Sequence, residues 1–306
     1  MSTTSGPQPD PSAIGRLQKV PFAILPDPPS LFRRRSERFA VLAQQGPLAS
    51  YLRFLSQIAG IQAELAVSLP GTSALSPDIV ERARQNGMPP LDRATLPAEG
   101  ALHETVARFL DAVIEVEMPA PAAGALAALQ TMPADERAGM LTHVVAASVP
   151  VEDLPQHLFL SAATQIHAAR LASRLDPGRL VPVGAGLCPV CGGPPAVSMI
   201  AGHQGAEGAR YAACSFCGAL WNEVRVKCLA CGSTKGVGYK HAEDGDEATI
   251  KAETCDSCRG WVKVQYQNKN PSLEALADDV ASLGLDLLMQ QTEFRRAGFN
   301  PFLIGY

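Results

Sequence analysis

The sequence predicts an α+β protein: an N-terminal α-helical domain, two small four-cysteine β modules, and a C-terminal helix. Three observations carry this prediction. Apolar residues recur at helical spacing from about residue 31 to 175. All eight cysteines lie beyond residue 187, in four Cys-x-x-Cys pairs. Around residue 180 the composition changes to short β-like runs separated by Gly and Cys turns.

The elements follow in order. Residues 1–30 are rich in Pro and Ser and read as an extended arm. Residues 31–180 form the helical domain. Phe54, Ile58, Ile61, Leu65 and Leu69 make one apolar stripe, and Leu102, Val106, Phe109, Val113 and Val116 make a second. Segments 31–45 and 134–147 are also helical in pattern. A further helix starts at Asp153, read as its N-cap, and carries Leu158, Ala162, Ile166 and Ala169 on one face. Asp176-Pro177-Gly178 stops it. Strands are expected at 196–200, 209–213, 220–226, 249–252 and 261–266. They divide into a first module, 181–226, and a second, 227–270. Ser272 then caps a last helix with a stripe of Leu276, Val280, Leu283 and Leu287 within the closing segment 271–306.

A chain of 306 residues with 46 % hydrophobic and 18 % charged residues is globular in composition, and its length suggests two domains. The formal net charge of −4 gives no overall attraction to nucleic acid or to an anionic membrane. The chain does not open on a basic segment followed by an apolar run. No stretch approaches the roughly eighteen uninterrupted apolar residues of a membrane span. We therefore expect a cytoplasmic protein whose thiols stay reduced. A disulfide framework would need an oxidising compartment, so the cysteine pairs are read as metal ligands.

Four Cys-x-x-Cys knuckles can share two metals in three ways. Cys214/Cys217 and Cys228/Cys231 are only ten residues apart, which is an acceptable ribbon spacing. The longer pattern favours another pairing. Cys188/Cys191 recur forty residues later as Cys228/Cys231, and Cys214/Cys217 recur forty-one later as Cys255/Cys258. The flanking sequences GARYAACSFCGALWNEV and EATIKAETCDSCRGWVKV align, with Trp221 and Trp261 just after their knuckles. A repeat of this period signals two copies of one unit. Site 1 is thus Cys188, Cys191, Cys214 and Cys217; site 2 is Cys228, Cys231, Cys255 and Cys258. Four thiolates suit tetrahedral Zn²⁺ or a single iron, and leave no position for a metal-bound water. Gly192, Gly218 and Gly232 follow three knuckles, where a left-handed backbone is needed. Arg259 follows the fourth, which predicts a looser turn there. Forty-residue units cannot bury enough apolar surface alone, and a structural metal worth roughly 10–16 kcal/mol would make up the deficit.

Other chemistry is sparse. His103, His143, His157, His167, His203 and His241 form no HExxH motif and pair with no cysteine at nucleophile spacing; they read as surface or satisfied core residues. Neither a Walker loop nor a dinucleotide fingerprint is present. Arg33-Arg34-Arg35 with Arg38 is a basic cluster, read as a solvated face. Residues 182–270 hold nine Lys/Arg against eight Asp/Glu. Two four-thiolate zinc sites would bring that region to about −3, and two ferric sites to about −1, against nucleic-acid binding.

The chain resembles the FdhE family of formate dehydrogenase accessory proteins. The resemblance rests on LFRRRSERF and YLRFLSQIAGIQAEL near the start, LCPVCGGPP at the first knuckle, CSFCGALWNEVRVKCLACGS between the modules, and ADDVASLGLDLLMQQTEFRRAGFNPFL at the end. It implies a helical domain followed by two rubredoxin-like modules, with iron favoured as the metal and zinc as the alternative. The eight cysteines would be the ligands, with no catalytic residues. It further implies a non-enzymatic role in maturing respiratory formate dehydrogenase, through contact with the catalytic subunit in the cytoplasm. A rubredoxin-like electron carrier and a zinc-stapled interaction adaptor are the alternatives.

Overall fold

A computed structural model describes residues 20–202, 206–241 and 248–303. Residues 1–19 of the expected arm, His203, the acidic stretch 243–247 and the last three residues of the tail lie outside the described residues.

The helical domain begins with α1 (Pro28–Leu42), whose first position is a proline already set to helical φ. It runs back along α2 (Ala49–Ser68), and the pair is linked reciprocally: Ser36 Oγ donates to the Ser56 carbonyl at 2.8 Å, and Ser56 Oγ to the Ser36 carbonyl at 2.9 Å. In α3 (Pro77–Gln85) the Ser76 hydroxyl accepts from the Ile79 amide, with Asp78 in the first turn and Arg82 and Arg84 in the last. That charge order suits the helix dipole. The stripe of Leu102, Val106 and Phe109 in α4 (Gly100–Ala112), with Val113 just beyond, is fully buried. Then come α5 (Ala120–Thr131), α6 (Ala134–Ala146) and α7 (Leu154–Ala172).

α7 is the axle of the domain. It was expected to bury one face, yet nearly every residue from Phe159 to Ala172 is buried, because α2, α4, α5 and α6 all pack against it. Ala162, Ala163, Ala168, Ala169 and Ala172 let those neighbours come close. Asp153 does occupy the N-cap position, but its side chain caps nothing. Its carbonyl instead accepts from the His157 ring Nδ1 at 2.8 Å.

Beyond residue 180 the strands are β2 (Pro195–Ile200), β3 (Arg210–Cys214), β4 (Leu220–Glu223), β5 (Val237–Lys240), β6 (Ile250–Cys255) and β7 (Gly260–Tyr266). They do not make two separate sheets. β2 of the first module pairs in parallel with β7 of the second, Ser198 opposite Val264, so one sheet runs β1-β4-β3-β2-β7-β6-β5 through both modules. At one edge lies β1 (Ala23–Ile24), the described end of the expected arm, antiparallel to β4 with Ala23 opposite Trp221.

The single C-terminal helix of the sequence reading is two: α8 (Ala275–Ala281) and α9 (Leu283–Gln290). Glu274, in place of Ser272, caps α8 by accepting from the Leu276 and Ala277 amides. The break has a cause. The buried Lys263 ammonium takes the Asp279 carbonyl at 2.6 Å, the acceptor that the Leu283 amide would use in a continuous helix, and also reaches the Ser282 carbonyl at 3.2 Å. After α9, β8 (Arg295–Arg296) adds in parallel to β7, and the Phe299 amide donates to the Pro195 carbonyl.

The main core joins the helices to the first module: Val190, Ala196, Val197, Phe216 and Trp221 belong to one apolar cluster with Phe32, Leu55 and Phe159. Much of the second module packs around a smaller cluster of Ala252, Trp261, Leu285, Met289 and Phe294.

Candidate metal centres

Each knuckle is a short turn closed by the same hydrogen bond. The amides of Gly192, Gly218, Gly232 and Arg259 donate to the carbonyls of Cys188, Cys214, Cys228 and Cys255 at 2.8, 3.2, 2.9 and 2.8 Å. The three glycines have φ of 71°, 75° and 76°. Arg259 has φ 55°, so it takes the same left-handed backbone and the fourth turn is no looser than the others. For a residue with a Cβ that conformation costs roughly 1–2 kcal/mol. Arg259 is also tied to Glu293 at 2.6 Å.

The sulfurs gather into two groups, Cys188/Cys191/Cys214/Cys217 and Cys228/Cys231/Cys255/Cys258, each within 4.8 Å. The middle knuckles, Cys214/Cys217 and Cys228/Cys231, fall in different groups. Across the knuckles, Cys188 and Cys217 Sγ are 3.6 Å apart and Cys191 and Cys214 Sγ 3.5 Å in the first, and Cys228 and Cys258 Sγ 3.7 Å and Cys231 and Cys255 Sγ 3.8 Å in the second. A tetrahedron of sulfurs at the zinc–thiolate distance has edges of about 3.8 Å, so both groups fit one tetrahedral ion of that size. Amides support the sulfurs: Cys217 N points to Cys214 Sγ, Ala230 N to Cys228 Sγ, and Gly260 N to Cys258 Sγ, at 3.3–3.5 Å.

Burial pushes the Cys188 and Cys217 thiols well above the usual thiol range, and Cys228 up to about 12. A cation taken up here would therefore displace protons, and acid would oppose it.

The helical domain grips both knuckles of the first group. Between Cys188 and Cys191, the Val190 carbonyl accepts from the Leu91 amide at 3.0 Å. Between Cys214 and Cys217, the Ser215 carbonyl accepts from Gln165 Nε2 of α7 at 2.8 Å, and the Arg93 guanidinium lies over the Phe216 ring. The second group is held to the first at Gly186, φ 65°, where an added Cβ would stand 1.7 Å from the Leu229 carbonyl oxygen. Only a glycine can make that crossing.

The family models for the FdhE N-terminal region, central domain and C-terminal domain match residues 20–185, 187–225 and 226–303. The chain belongs to the FdhE family. It is 55 % identical over 300 residues to a protein FdhE homolog of Rhizobium meliloti, covering 98 % of each chain. It is 35 % identical to an FdhE homolog of Enterobacter sp., covering 93 % of this chain and 91 % of the other. The crystal structure of the FdhE protein from Pseudomonas aeruginosa superposes with a TM-score of 0.82 at 32 % identity, covering 93 % of this chain and 99 % of that one.

In this FdhE chain the other residues singled out from sequence take several places. His143 is exposed and stacks on buried His157, with ring centroids 5.8 Å apart; His103 Nε2 contacts the Pro97 carbonyl; buried His167 Nε2 is 3.0 Å from Glu99 Oε2. His241 is exposed. None of these five joins a cysteine group. The arginine cluster is not a solvated face throughout. Arg33 and Arg34 are exposed, but Arg35 is buried against Glu274 at 3.2 Å, and Arg38 grips Asp278 at 2.6 Å. These two pin α1 to α8. Their spacing of three along a helix beside buried Phe32 and Phe39 was the available signal. Among the described residues no helix is long and apolar enough to cross a membrane.

Proposed function

We propose that this chain is a metal-carrying accessory factor that binds the catalytic subunit of formate dehydrogenase in the cytoplasm and supports its maturation, without being an enzyme itself. Membership of the FdhE family, a family of formate dehydrogenase accessory proteins, carries the reading. The two four-sulfur groups support its metal component. Site 1 would be held by Cys188, Cys191, Cys214 and Cys217, and site 2 by Cys228, Cys231, Cys255 and Cys258. Iron is favoured over zinc. Four-thiolate iron supplies one-electron redox chemistry, whereas zinc supplies none. The protein's own part is to hold the sulfurs, exclude water from the first group and present surfaces to the client.

The test is genetic and chemical together. Deleting the gene is expected to abolish formate dehydrogenase activity while the catalytic polypeptide is still made, and tagged protein is expected to capture that subunit. Protein purified without oxygen from iron-replete cells should carry two metal ions and show sulfur-to-iron charge-transfer absorption. Unchanged formate oxidation in a clean deletion, with no captured subunit, defeats the reading.

A further inference from the structure

The two groups share a repeat, yet their surroundings differ sharply. Cys188, Cys191, Cys214 and Cys217 are between 0 and 3 % exposed and form part of the main core. In the second group Cys228 and Cys255 are buried at 5 and 1 %, whereas Cys231 and Cys258 are exposed. The exposed pair takes one sulfur from each knuckle, and the two lie within 4.8 Å. Around them the knuckle tips also face solvent: Ala230, Asp256, Ser257 and Arg259 are exposed. The bonds at these tips come from the C-terminal part of the chain and not from the helical domain: the Asp256 amide donates to the Gly236 carbonyl at 2.9 Å, and the Arg259 carbonyl accepts from the Arg295 amide at 2.7 Å. Ser233 Oγ and Ser257 Oγ meet at 3.1 Å on the surface.

We propose that Cys231 and Cys258 form an oxidation-sensitive pair, through which the second centre opens to a hydroperoxide while the first stays closed. The proposal rests on reading both groups as metal sites. One exposed thiolate attacks the hydroperoxide; the O–O bond breaks, leaving a sulfenic acid on that cysteine and releasing hydroxide or an alkoxide, which takes a proton from solvent to become water or an alcohol. The other thiolate attacks the sulfenic sulfur and displaces hydroxide, which takes up a proton to become water. An S–S bond forms, and the two electrons lost by the sulfurs have reduced the peroxide. Cys228 and Cys255, left as two of four ligands, take up protons as the metal departs. The geometry allows it: a disulfide needs its sulfurs about 2.05 Å apart, and these must close from no more than 4.8 Å on exposed turns. The first group offers no such entry, because its sulfurs reach solvent hardly at all and oxidation follows exposure.

The full-length chain loaded with two Zn²⁺ is treated with hydrogen peroxide, with zinc release followed by a chromogenic chelator and disulfides mapped by mass spectrometry. Zinc is redox-silent, so every electron must come from sulfur. One equivalent should leave at least about tenfold faster than the other, and the first disulfide should join Cys231 to Cys258. Dithiothreitol with added Zn²⁺ should restore two bound ions. The wild-type map needs no variant, so it cannot be lost to misfolding. Cys231→Ser adds a check, since it should abolish the first disulfide. Two ions released at one rate, or a first disulfide among Cys188, Cys191, Cys214 and Cys217, overturns this proposal alone. A chain that binds fewer than two zinc ions overturns the two-site reading, and this proposal with it.

Discussion

Arg210 ties the two modules together through one side chain. It is 2 % exposed and points its Nε at Ser198 Oγ and its Nη2 at Glu253 Oε1, both at 2.7 Å. Its Nη1 faces the carbonyls of Val224, Arg225 and Lys227, which lie in the chain between the modules. Only the forked guanidinium can serve a carboxylate and a row of carbonyls at once. Burial pushes the Glu253 carboxyl above its usual range even with Arg210 beside it, so the loss of the arginine leaves a charge with no solvent to turn to. Arg210→Met should lower unfolding stability by about 3–5 kcal/mol, read from urea midpoints of the metal-loaded protein. Adding Glu253→Gln should recover part of that loss, because the stranded charge is gone. Arg210→Lys should fare little better than Met.

The C-terminal helices are held by a second cluster of buried charges. Lys263 on β7 is fully buried, 3.2 Å from Asp279 of α8 and paired with Asp286 of α9. Arg296 of β8 closes the ring onto the same two carboxylates, and Asn300 Nδ2 donates to Asp279 at 2.9 Å. Two cations and two anions thus lock a strand, two helices and the tail together. Burial would raise Asp279, but Lys263 and Arg296 outweigh it and hold the carboxyl below its ordinary range. Lys263→Met should cost about 3–5 kcal/mol. It should also release the Asp279 and Ser282 carbonyls, so that hydrogen exchange at α9 and residues 291–303 speeds up more than at α2 or α4. Uniform loss of protection across all these helices would argue against a local clasp.

Across the whole molecule, pH acts through histidines the helices enclose. Desolvation is the main influence holding His157 and His167 below the usual imidazole value of 6.5, even though the Asp153 carbonyl and the Glu99 carboxylate favour their protonation. Between those lowered values and 6.5 the unfolded chain binds more protons than the folded one. Stability is therefore complete above about pH 6.5 and falls as pH drops below it. Thermal midpoints measured from pH 8 down to 6 should stay level and then decline. His167→Gln should flatten the decline; an unchanged slope would place the titrating group elsewhere.

Local regularities were legible from sequence alone: the helical stripes, the forty-residue repeat, the four knuckles and the sulfurs they would gather. Each depends on residues a few positions apart, or on a repeat that spacing displays directly. Arg35 and Arg38 were not legible as pins, because an arginine on an amphipathic helix looks solvated until the partner carboxylate, more than two hundred residues away, is in place. The break at Ser282 was hidden for the same reason: a lysine on a strand takes the helix carbonyls. Tertiary structure alone decided that two modules share one sheet, through the parallel pairing of β2 with β7. It also decided that only one cysteine group is sealed against the helices. Sequence repeats the turns that aim the sulfurs, since those depend on local backbone geometry; burial depends on which neighbour each copy meets, and the two copies meet different ones.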